Sequence, residues 1–265
     1  MEMRERALLA LAEAMPERKA TLAAELRLAA DSLDVAASAP RSAHAIPGRP
    51  EKPALVHPAR VARRSPRTRD GLAALVHAIA HIEFNAINLA LDAVWRFDGM
   101  PREFYLDWSR VAAEEACHFT LLTRHLRTLG HAYGDFAAHD GLWAMCEKTK
   151  DDIVARMALV PRTLEARGLD ATPLIQEKLR NAGTAEALGA VEILDVILRD
   201  EVSHVAIGNR WYRWLCERGG LDPVAQYSLL AERYAAPKLK PPFNTAARMR
   251  AGFSEEELAF LAGTS

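Results

Sequence analysis

Glu83, Glu115 and Glu201 each fall in the middle of a stripe of apolar residues at helical spacing. That placement restricts the chain to folds with charge at the centre of a helical core. Around Glu83 lie Val76, Ile79, Ala80, Ala86, Ile87, Ala90 and Val94; around Glu115 lie Trp108, Val111, Ala112, Phe119, Leu122 and Leu126. Glu201 is flanked by Leu194, Ile197, Leu198, Val205 and Trp211. A carboxylate buried without a partner costs several kcal/mol or stays protonated. Three of them on three core stripes call for one explanation.

Two of the three carry a histidine three positions later, His118 and His204, so each Glu and its His leave the same helix face. Twenty-one glutamates and nine histidines in 265 residues give about 0.7 such pairs by chance, so the spacing gains its weight from the apolar context.

Helical periodicity runs through most of the chain, and no stretch alternates like a strand. Residues 1–37 read as an N-terminal helical appendage, and 38–69 as an extended segment with six prolines. Residues 70–218 read as a four-helix bundle and 219–265 as a C-terminal helix and tail. The bundle helices are expected at about 70–97, with Asp70 as cap, then 102–129, 142–181 and 184–218. Pro161, Gly168 and Pro173 disturb the third.

Level supplies a fourth acid. Glu83 and Glu115 lie 16 residues either side of Gly99, so an antiparallel hairpin sets them at one height. Glu165 and Glu201 lie 18 residues either side of Gly183. On the third helix, Glu147 and Glu177 would be off level by about 27 and 18 Å. Glu165 is flanked by Pro161, Arg162 and Gly168 instead of a clean apolar stripe.

The resulting set is Glu83, Glu115, His118, Glu165, Glu201 and His204. Four carboxylates balance two divalent cations, and carboxylate with imidazole suits iron or manganese. Glu114 and Asp200 precede the ligand glutamates and are placed to hold the far nitrogens of the histidines, or else to form rim salt bridges.

The order Glu, Glu-x-x-His, Glu, Glu-x-x-His resembles the di-iron carboxylate proteins of the ferritin-like superfamily. The stretches HAIAHIEFNAINLALD, EEACHF, LEARGLDATP and RDEVSHVAIGNRW, with the tail PPFNTAARMRAGFS, are similar to one uncharacterised bacterial subfamily. The resemblance spans about residues 45–255. More distantly it reaches bacterial tRNA hydroxylases that oxidise an isopentenyl-type adenosine, in which Glu-Ala-Arg also marks the third-helix ligand, here Glu165-Ala166-Arg167.

The resemblance implies an all-α ferritin-like bundle holding two Fe ions, or Mn, and an O2-dependent oxidoreductase of hydroxylase type. Its substrate would be a small molecule or an RNA, and electrons would come from an external donor, since no flavin or iron–sulfur motif is present. A ferroxidase or iron-handling protein is the alternative, and a metal-free helical scaffold the second.

Other features are read more plainly. The net charge of -1 gives no global attraction to nucleic acid or membrane. Three cysteines make no disulfide framework, no apolar run reaches a membrane span and the N-terminus is charged, so a cytoplasmic protein is expected. Arg60, Arg63, Arg64, Arg67 and Arg69 form a solvated lead-in to a helix or a phosphate patch. His77, His81, Asn85, Asn88 and Asp92 make a polar stripe on the first bundle helix that binds the Pro-rich segment or lines a path. Cys117 and the five tryptophans are assigned to packing.

Overall fold

The structure, a computed structural model, describes residues 1–61 and 64–263. The chain is all-α as expected; among the described residues the only extended pairing is one isolated bridge between Leu55 and Ala138. It divides into two compact units, Met1–Trp143 with Leu179–Ile193, and Ala144–Lys178 with Leu194–Ser265.

In the first unit, α1 (Met3–Ala12) and α2 (Pro16–Ala29) replace the single N-terminal helix read from the sequence. Pro16 decides this. It disfavours helical backbone at Met15, which is extended at ψ 118°, and itself opens α2 at a position where no N–H is needed. The long helices α3 (Arg69–Arg96) and α4 (Arg102–Thr128) form the centre, joined through Gly99 at φ +69°, a conformation that favours glycine. Thr68, not Asp70, caps α3, its hydroxyl accepting the Gly71 N–H at 3.1 Å; Asp70 lies in the first turn. α3 is long and apolar enough to cross a membrane by composition, yet 72% of its most apolar window is buried in the protein.

α1 lies on α3 and α2 on α4. Two buried cations pin them. Arg4 donates twice to the Trp95 carbonyl, at 2.9 and 2.7 Å. Lys19 donates to the carbonyls of Leu11 (3.1 Å) and Gly48 (2.8 Å) and to the Asn88 side chain. Three acceptors match the three protons of an ammonium. Burial, followed by the charge of Arg49, pulls Lys19 down to about 7.

The second unit contains α6 (Ile153–Leu159), a π turn at Val160–Glu165, most of α7 (Ala166–Ala182), the larger part of α8 (Ala185–Gly219), then α9 (Pro223–Arg233), α10 (Thr245–Arg250) and α11 (Glu255–Gly263); α5 (Gly141–Lys148) precedes them. The third helical stretch is thus α5, α6, the π turn and α7. Of its three expected breakpoints only Pro161 changes the helix type; α7 continues through Gly168 and Pro173. Proline lacks the N–H an α-helix needs, and the π turn accommodates its ring. Gly208 of α8 faces that ring, and a Cβ there would lie 2.5 Å from the Pro161 Cβ.

Candidate metal centre

Glu83 and Glu115 face each other from the two arms of the α3–α4 hairpin, as their equal distance from Gly99 requires. His118 joins them: its Nδ1 lies 3.1 Å from Oε2 of Glu83 and 3.3 Å from Oε2 of Glu115. Glu115 and His118 are 0% exposed and Glu83 is 4%, so water does not screen the three groups. Burial, then the neighbouring Glu115 charge, pushes the Glu83 carboxyl well above the ordinary range, although His118 opposes this. Burial pulls the other way on His118, but bonds to and charges of Glu115 and Glu83 push it up to about 11. The two carboxylates therefore favour positive charge between them, whether a proton on His118 or a bound cation.

In the second unit α8 carries Glu201 and His204, 7% and 0% exposed, with His204 Nδ1 3.8 Å from Glu201 Oε1. Within the first unit Glu83, Glu115 and His118, all buried, form a group that could hold a metal ion. Its donors are two carboxylates and an imidazole, with no thiolate, which fits Fe(II) or Mn(II). Glu165 closes the π turn and is 8% exposed. Glu114 accepts from Arg110 at 3.0 Å and Asp200 from Arg199 at 2.9 Å, which are salt bridges of the alternative kind.

The polar stripe of α3 is buried throughout. The Gly134 N–H donates to His77 Nε2 at 2.9 Å, and His81 Nδ1 lies 2.8 Å from the Tyr133 hydroxyl. Both imidazoles are lowered to about 4, chiefly by burial. Arg49, Pro50, Pro53 and Leu55 share a small cavity with His81, Asn85 and Asn88, so the Pro-rich segment lies over this stripe. Tyr133 is the residue sequence reasoning missed. It stacks on His77 and His81 and touches Phe84 and Phe119, the neighbours of Glu83 and His118. The signal was an aromatic pair, Tyr133 and Phe136, in a loop that otherwise lacks pattern.

In the arginine run, Arg69 donates to the carbonyls of Leu129 (3.1 Å) and Thr128 (2.8 Å), and Arg64 lies over the Phe136 ring. Arg60 and Arg67 are exposed, and Arg63 lies outside the described residues. Cys117 is exposed, a correction to its assignment to packing: two residues past Glu115 it lies about 200° round α4, on the face opposite the buried acid. Trp95, Trp108, Trp143 and Trp211 are buried as expected, and Trp214 is half-buried.

No solved structure matches the chain. A Haemophilus influenzae protein described as uncharacterized is 53% identical over 219 residues, 80% of this chain and 75% of that protein. The model of a family described as "Protein of unknown function (DUF455)" matches residues 12–259. With nearly its whole length matched, the chain belongs to the DUF455 family.

Proposed function

We propose that this chain is a metal-dependent oxidoreductase of ferritin-like architecture, with two Fe or Mn ions held by Glu83, Glu115, His118, Glu165, Glu201 and His204. One observation carries the reading: two buried carboxylates and an imidazole converge 3.1–3.3 Å apart. Selection for stability alone would replace such a group with apolar residues. The repeated Glu-x-x-His on α4 and α8 supports a second metal position, and four carboxylates would neutralise two divalent cations.

When bound, a pair of such ions supplies O2-dependent oxidation of a C–H bond, with electrons from an external donor. The chain's part is binding and exclusion. Its carboxylates would fix the ions, while Phe84 and Phe119, next in the chain to Glu83 and His118, pack on each other and on Tyr133. The substrate is proposed only as a small molecule or RNA nucleoside.

Elemental analysis of the purified protein tests the reading, with optical spectra of the ferrous form before and after oxygen is admitted. About two metals per chain and a transient visible band are expected. No metal uptake after anaerobic reconstitution with Fe(II) or Mn(II) would sink it.

A further inference from the structure

A π turn is an uncommon way to end a helix, and it persists where surrounding contacts over-determine it. The turn at Val160–Glu165 is held from both ends by residues 244–257. On its near side Arg162, 4% exposed, donates to Asn209 Oδ1 (3.0 Å) and to Glu257 Oε1 (2.6 Å). Glu257 Oε2 accepts from Arg213 and from the Ser254 N–H, each at 2.7 Å. Burial pushes the Glu257 carboxyl up, but Arg162, the Ser254 N–H and Arg213 outweigh it and hold it below the ordinary range.

On the far side Arg248, fully buried, grips α7 immediately after Glu165. It donates to both oxygens of Asp170, at 3.0 and 2.6 Å, and to the Ala166 carbonyl at 3.4 Å. The Phe253 ring takes both cations, Arg162 at 4.8 Å and Arg248 at 5.2 Å from its centroid. Asn244 adds a bond to the Leu169 carbonyl at 3.1 Å. Two buried arginines, each with its own acid and a shared aromatic ring, bracket the single glutamate between them.

We propose that Glu257 and Phe253 are positioning residues, a clamp that sets the orientation of Glu165 through Arg162 and Arg248, so that loosening it lowers metal affinity. This rests on the metal reading above. Neither residue belongs to the proposed ligand set. Residues that orient ligands from outside the coordination sphere characteristically change metal affinity about 10–100-fold.

The experiment uses the full chain and Mn(II) alone as probe. Wild type, Glu257→Gln, Phe253→Leu, Glu257→Asp, Glu165→Gln and Asp98→Asn are titrated with Mn(II), their bound-metal EPR spectra recorded, and the metal-free proteins melted. Asp98→Asn is the control, because it removes a partner of Arg4 in the first unit and leaves every bond of the clamp in place.

Expected is weaker Mn(II) binding by about tenfold or more and an altered EPR signal in Glu257→Gln and Phe253→Leu. Glu257→Asp should recover part of both, and Asp98→Asn should lower melting alone. Phe253→Leu keeps both ion pairs and serves if Glu257→Gln does not fold. Wild-type affinity and spectrum in Phe253→Leu and Glu257→Gln, with only melting lowered, would overturn the clamp. Unchanged binding in Glu165→Gln overturns the clamp and removes Glu165 from the ligand set while a metal site on the remaining ligands stands; no Mn(II) uptake by wild type overturns both.

Discussion

His118 Nδ1 meets Glu83 Oε2 at 3.1 Å although 35 residues separate them in the chain. The contact is a consequence of the hairpin: α3 and α4 turn at Gly99, and the two acids lie equally far from it. Like charges set this close in a buried site coexist only where a proton or a bound cation joins them.

Metal should therefore stabilise the folded chain. At a Mn(II) concentration of one hundred times its Kd, wild type should gain about 2.7 kcal/mol in unfolding free energy. Glu115→Ala should lose that gain. Thermal melts with and without Mn(II) read both, and an equal metal-induced shift in the variant would remove Glu115 from the ligand set.

His77 makes acid stability a local question. Its Nε2 accepts the Gly134 N–H, which requires a neutral ring, and burial lowers it to about 4. The unfolded chain binds that proton at about 6.5. Stability present above pH 6.5 is thus lost as pH falls toward 4, by about 3 kcal/mol at pH 4. Urea melts between pH 7 and 4 should show this slope, and His77→Gln should reduce it, with buried His81, also lowered to about 4, contributing the rest. An unchanged slope in the variant would place the acid sensitivity elsewhere.

Lys19 holds three buried acceptors together. Lys19→Met removes the charge and leaves the Leu11 and Gly48 carbonyls and the Asn88 oxygen without that donor. The expected loss is about 3 kcal/mol, read as a lower urea midpoint. A loss below about 0.5 kcal/mol, the range of a surface substitution, would contradict this role.

Gly208 is needed for space. An added Cβ would meet the Pro161 ring at 2.5 Å, and a proline ring cannot rotate away. Gly208→Ala should cost about 1–3 kcal/mol. Pro161→Ala should recover part of that in the double variant; strictly additive losses in the cycle would refute the contact.

Much was legible in the sequence because helices are local. The period of apolar residues set α3, α4 and α8 to within a residue or two, and marked Glu83, Glu115, His118, Glu201 and His204 as facing the core. Equal spacing about Gly99 brought Glu83 and Glu115 to one level, since rise per residue is constant along a helix. Tertiary structure decided what depends on partners distant in the chain. Helix-breaking signals at Gly168 and Pro173 did not end α7, while Pro161 became a π turn secured by Arg162 and Glu257, 95 residues apart. Lys19 and the stripe from His77 to Asn88 look like surface residues by composition. They are buried because α2, the Pro-rich segment and the Tyr133 loop cover them, and no local pattern encodes which surface a segment will cover.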